Sequence, residues 1–176
     1  MRPAKPINYL PVVTLPDPVL RAPTKRIAAF DRGLQELIEA MRITMRAADG
    51  IGLAAPQIGQ SLKLAVIEYQ GESEEADQTD QPQIPFLVIA NPTIVHLGNE
   101  FEIFDEGCLS IPGLQIPIPR ATEVRVIADN QAGERIRIRA RGLFARILQH
   151  EIDHLNGLLI VDRTTDKKIR KQYAPK

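Results

Sequence analysis

Tryptophan is absent from this chain, aromatic residues make up only 5% of it, and cysteine occurs once. The single thiol, Cys108, has no internal partner, so disulfide staples play no part in the fold; a lone cysteine fits a reducing compartment or a functional thiolate. No run of about eighteen apolar residues occurs, which excludes a membrane-spanning helix of the usual length. Residues 1–9 carry prolines and basic side chains but no apolar segment of the kind a secretory signal needs. A cytoplasmic location is the expectation, and an organellar protein already stripped of its presequence would read the same. Net charge is missing too. The 22 basic and 22 acidic side chains cancel, leaving no overall field to draw DNA or an anionic membrane. The glycines do not fall at dinucleotide-binding or P-loop spacings, which excludes a phosphate cradle of those kinds.

What is present suits one globular domain spanning 1–176. A chain of 176 residues, 44% hydrophobic and 25% charged, is long enough to bury a core without metals or staples. Prolines at 11, 16, 18 and 23 keep residues 10–30 extended or turning, as a wrap on the outside of the domain. From Asp31, a plausible N-cap, apolar residues at 34, 37, 38, 41, 45 and 48 recur at helical spacing until Asp49-Gly50 stops the pattern. Residues 62–69, 86–90 and 101–104 read as strands, with Asn91-Pro92 and Gly98-Asn99 as turn signals between them. The acidic stretch 71–82 reads as a solvated, flexible insert. Residues 124–129 and 134–140 form a hairpin across Asn130-Gln131-Ala132-Gly133, with Arg135, Arg137 and Arg139 on its wet face. Beyond 163 the chain ends in a basic tail, expected to be disordered.

The chemistry lies in Gln149-His150-Glu151-Ile152-Asp153-His154. On a helix running from about 143 to 156, His150 and His154 stand one turn apart on one face and reach one ion. Glu151 sits off that axis, placed to take a proton from water beside the ion. Buried histidines that merely hydrogen-bond in a core give the same spacing, and two imidazoles leave a metal site incomplete. Cys108, beside Gly107 in Glu106-Gly107-Cys108-Leu109-Ser110, offers a third donor. Three protein ligands with a position left open mark a catalytic rather than a structural site. The small-residued stretch 50–59 lets the backbone pass close to a neighbour or a ligand, and within it Gln57 is the side chain able to donate to a substrate oxygen.

Three separated segments, Gly50-Ile51-Gly52-Leu53-Ala54-Ala55-Pro56-Gln57, Glu106-Gly107-Cys108-Leu109-Ser110 and His150-Glu151-Ile152-Asp153-His154, together resemble the three signature motifs of the peptide deformylases, in that family's order. The resemblance implies an α+β fold with antiparallel strands packed around a central metal-bearing helix and an N-terminal helix covering another face. It also implies a hydrolase that removes the formyl group from the formyl-methionine of nascent polypeptides. Its metal ligands would be Cys108, His150 and His154. The ion would be Fe2+, with Zn2+ or Ni2+ as substitutes. Glu151 would be the acid/base, and the Gln57 side chain and the Leu109 N–H would polarise the carbonyl. By the same resemblance the substrate lies along Gly50, Ile51 and Gly52, with Glu106, Gly107 and Ile147 also lining its site. Ile147 lies one turn before His150 and so on the metal-facing side. Arg120 and Asp153 are expected to pair and steady the helix. The partners implied are the formylated nascent peptide and a transient contact with the ribosome, with neither DNA nor membrane. Gln115 stands where many members carry an arginine.

Overall fold

Asp31 caps the first helix as its residue type predicts: its carboxylate accepts from the Leu34 N–H at 3.0 Å, and α1 (Arg32–Ala47) follows. The apolar stripe of α1, Leu34, Ile38, Met41 and Met45, is buried against Leu53, Leu64, Val66 and Val88. The computed structural model describes residues 9–71 and 83–174; the acidic insert, apart from Gly71, lies outside them.

Among the described residues seven strands follow α1, and all their pairings are antiparallel. A five-stranded sheet has the order β1 (Gly52–Ala54), β2 (Leu64–Tyr69), β3 (Ile84–Leu97), β6 (Glu123–Asp129), β7 (Arg135–Arg141). A separate ribbon pairs β4 (Phe101–Gly107) with β5 (Gln115–Ala121). Strand β2 is apolar on both faces because both are covered. Leu64 and Val66 point toward α1, while Ala65 and Ile67 join Ala145, Leu148 and Ile152 of the second helix, α2 (Gly142–Leu155). The helix bearing the histidines is thus packed into the apolar face of the sheet, as expected.

Four local readings are corrected. Asn91-Pro92 is not a turn: β3 runs through it for 14 residues. Asn91 takes a left-handed conformation, φ 51°, at a register shift between Ala90 and Thr93, which makes a bulge. Its side chain bonds Ile27 N, Ile27 O and Asp129 Oδ2. Those partners are remote in sequence, so local turn chemistry could not reveal them. Strand β5 went unread because of Pro117 and Pro119. Its only strand neighbour among the described residues is β4, so the two prolines interrupt no second ladder. The basic C-terminal stretch, as far as Ala174, is ordered. Short helices α3 (Ile160–Arg163) and α4 (Lys167–Gln172) follow α2, and Ile169 and Tyr173 pack on a cluster of Leu20, Ile118, Leu159 and Ile160. Residues 10–30 do more than wrap the outside. Val13 N–H bonds Gln57 O at 2.7 Å, Leu15 N–H bonds Ser110 O at 3.0 Å, and Leu20 is fully buried.

Helix α2 ends in a Schellman motif, with Leu158 N–H on Asp153 O and Gly157 N–H on His154 O. Gly157 is at φ +73°, and a Cβ there would sit 2.8 Å from Arg21 O. Gly157→Ala should therefore cost about 2 kcal/mol and lower the melting temperature by roughly 4–8 °C, read by calorimetry; an unchanged melt would contradict the close packing seen here.

Candidate active site

Helix α2 delivers His150, Glu151 and His154, and the loop after β4 delivers Cys108. Their donor atoms converge. Cys108 Sγ lies 3.3 Å from His154 Nε2, and His154 Nε2 lies 3.2 Å from His150 Nε2. Among the described residues these three side chains form a group with all ligand atoms within 4.8 Å of one another. Tetrahedral bonds of ordinary zinc-to-nitrogen and zinc-to-sulfur length require donors about 3.3–3.6 Å apart. The two separations at His154 are close to that length and the whole group lies within 4.8 Å, an arrangement that suits a divalent ion.

The neighbours orient these side chains. Glu106 Oε2 lies 3.0 Å from His150 Nδ1, which leaves Nε2 facing the sulfur. Both oxygens of Glu106 also accept from Arg120, and Oε1 accepts from Arg146 at 2.8 Å. Arg120 and Asp153 do pair, and the pair is buried rather than a surface bridge; Arg163 completes it from α3. Glu106, expected to touch substrate, is buried and commits its carboxylate to these cations. Arg146 was missed from sequence. It lies four residues before His150 on the same helix face, a spacing that could have flagged it. Beyond Glu106 it donates to Ile118 O and Glu102 O and stacks over the Phe104 ring at 5.0 Å.

Burial pushes the Glu151 carboxyl up to about 7, and its Oε2 is buried with no partner among the described residues. A carboxyl poised there exchanges protons readily near neutral pH. Burial opposes charge on Glu106, yet hydrogen bonds with His150 and Arg120 outweigh it and bring the group down to about 2. Burial likewise opposes a charged His150, but bonds to Cys108 and Glu106 raise it to about 10. Burial, and next the His150 cation, drive His154 well below its ordinary value.

These groups open on a cleft of about 980 Å³ whose walls include Gly50, Ile51, Gly52, Gln57, Glu106, Gly107, Leu109, Gln115 and Ile147. Ala54 N–H donates to Gln57 Oε1 at 2.9 Å, which turns the amide so that Nε2 faces Cys108 and Ser110. The Leu109 N–H has no acceptor among the described residues. Ile147, which is buried, and Ile51, which is exposed, both contribute to the cleft's apolar lining. Gly52 has a role that its flexibility did not suggest: a Cβ there would overlap Glu151 Oε1. Gly52→Ala should displace the carboxylate and reduce kcat/KM about 100-fold without loss of bound metal, checked by steady-state kinetics beside metal analysis.

The polypeptide deformylase family matches residues 9–170. Peptide deformylase of Dictyoglomus thermophilum is 38% identical over 156 residues, covering 89% of this chain and 93% of that one. Among solved structures, the peptide deformylase of Synechococcus elongatus in complex with actinonin is 41% identical with a TM-score of 0.81, over 97% of this chain and 85% of that one. The Met-Ala-Ser-bound class I type b enzyme of Acinetobacter baumannii is 32% identical with a TM-score of 0.83, over 89% and 99%.

Proposed function

This chain belongs to the polypeptide deformylase family, and from that premise we propose how its own residues take the N-formyl group from nascent polypeptides. The observation that carries the reading is the meeting of Cys108 Sγ with the two Nε2 atoms at metal-donor spacing, beside a buried Glu151 carboxylate with an unpartnered oxygen.

Cys108, His150 and His154 hold one divalent ion. Thiolate and imidazole suit Fe2+, Zn2+ and Ni2+, and Fe2+ is our assignment for the native enzyme. When bound, the ion supplies Lewis acidity that polarises the formyl carbonyl and acidifies water beside it. Glu151 takes the proton as water attacks the formyl carbon, holds it out of solvent, and returns it to the amine as the C–N bond breaks. Formate and a free methionine amine leave. Gln57 Nε2 and the Leu109 N–H donate to the oxygen that becomes anionic, two fixed dipoles where charge develops. Gly50, Ile51 and Gly52 form the edge along which the peptide backbone pairs, and Ile51 and Ile147 contact the methionine side chain. The similar Acinetobacter baumannii enzyme is described with Met-Ala-Ser bound, which supports a peptide that begins with methionine as the ligand of this chain. Glu106 and Gly107 contribute at the cleft wall, Glu106 chiefly by holding His150.

Among the described residues no helix is long and apolar enough to cross a membrane. We place the enzyme in a reducing compartment, the cytoplasm or an organelle, in transient contact with the ribosome. Comparing formyl-Met-Ala-Ser with acetyl-Met-Ala-Ser tests the reading against a general metallopeptidase. Formate release with no turnover of the acetyl peptide is expected; equal rates on both would overturn it.

A further inference from the structure

Strand β7 ends the five-stranded sheet, and its alternate residues Arg135, Arg137, Arg139 and Arg141 all stand exposed on one face while Ile136, Ile138 and Ala140 go to the core. Arg125 of β6 lies directly opposite Arg139, and His96 of β3 lies opposite Arg125. Like charges directly across a ladder destabilise it, so the facing of Arg125 and Arg139 is costly for the fold. Among the described residues only two carboxylates answer the row. Glu123 serves Arg139 at 3.0 Å and Arg141 at 2.8 Å, with Arg125 at 3.8 Å, and Asp129 serves Arg135 at 2.9 Å. Arg137 has no carboxylate partner among the described residues. Five guanidiniums against two carboxylates give a local positive strip on a chain of zero net charge.

The geometry points to this face as a binding surface for single-stranded RNA. Side chains two residues apart on a strand are about 6.7 Å apart, a ladder suited to a line of phosphates, and guanidinium binds phosphate through paired donors. A shallow hollow of about 450 Å³, lined by Arg139, Ala140, Arg141 and the half-buried Phe144, adjoins the C-terminal end of the strip. The strand lies at the end of the sheet opposite β1, and none of its arginines lines the substrate cleft. That ribosomal RNA is the source rests on the deformylase reading; binding of RNA as such does not.

The probe is a fluorescent twelve-nucleotide oligouridylate titrated with the metal-loaded full-length protein over a series of salt concentrations. Each phosphate contact on a single strand steepens the log–log salt slope by about 0.7. The combined Arg135→Gln, Arg137→Gln, Arg139→Gln variant should bind at least about tenfold more weakly, with a slope shallower by about 2. Glu123→Gln, which releases three guanidiniums, should bind more tightly than the native chain, a gain that damage to the fold would not produce. Formate release from formyl-Met-Ala-Ser should be unchanged in both. Unaltered affinity in the arginine variant, a full loss on substituting Lys167, Lys168 and Lys171 instead, or equally tight binding of polyglutamate would each overturn the proposal. Sedimentation with ribosomes should follow the same ranking; ribosome binding indifferent to these variants would overturn the ribosomal source. Failure of formate release with RNA binding intact would count against the deformylase reading alone.

Discussion

Glu151→Gln should lower kcat/KM on a formyl-methionyl peptide by about 10³-fold or more while the protein still holds one metal ion per chain. The substitution is nearly isosteric, so Gly52 keeps its close approach and Ile152 and Leu155 keep their packing in the core. It removes a carboxylate that burial disfavours and that has an oxygen without a partner among the described residues. Burying an unpaired charge is costly, so the melting temperature should stay level or rise. Turnover thus falls with no loss of stability, which substitution of a merely structural glutamate would not produce. Kinetics, metal analysis and calorimetry on the same preparation check it, and activity within tenfold of the native chain would remove Glu151 from the proton path.

Cys108→Ala should abolish activity through the metal rather than through the fold. Cys108 is only half-buried, at the margin of an apolar cluster, and its side-chain bonds to Gln57 and His154 both lie within the site. Loss of its sulfur leaves two imidazoles, too few to hold a catalytic ion. For the native apoprotein, metal at about 100 times its dissociation constant adds about 2.7 kcal/mol and raises the melting temperature by roughly 5–10 °C. The variant should show neither that rise nor stoichiometric metal. Cys108→Asp restores a third, harder donor. It should bind metal yet turn over more slowly than the native chain, because thiolate and carboxylate leave different charge on the ion. Full activity of Cys108→Asp with the same metal would show that the sulfur is dispensable.

Both helices were legible because their determinants are local. The apolar spacing of α1 and the capping carboxylate of Asp31 lie within one stretch of chain. Asn156-Gly157 stops α2 where a left-handed residue is required. The β6–β7 hairpin was legible for the same reason, its turn chemistry lying between two alternating runs. Strand β5 and the bulge at Asn91 were not, since proline and asparagine read locally as breakers. Only their neighbours, an unoccupied ladder side for one and Ile27 with Asp129 for the other, make them strand. The ordered α4 depends in the same way on remote apolar partners.

Residue types and spacing alone offered the candidate groups: two imidazoles one helical turn apart, a glutamate beside the first, and one thiol in the whole chain. The three-dimensional packing decided everything that depends on distance between segments. It brought Cys108 across 46 residues to 3.3 Å from His154, assigned Glu106 to His150 and two arginines, and required Gly52 to lack a side chain beside Glu151. Helical periodicity is set by neighbours along the chain and can be read from order. Contacts between β4, β1 and α2 arise only when the sheet closes its core, and no local pattern encodes which charge meets which.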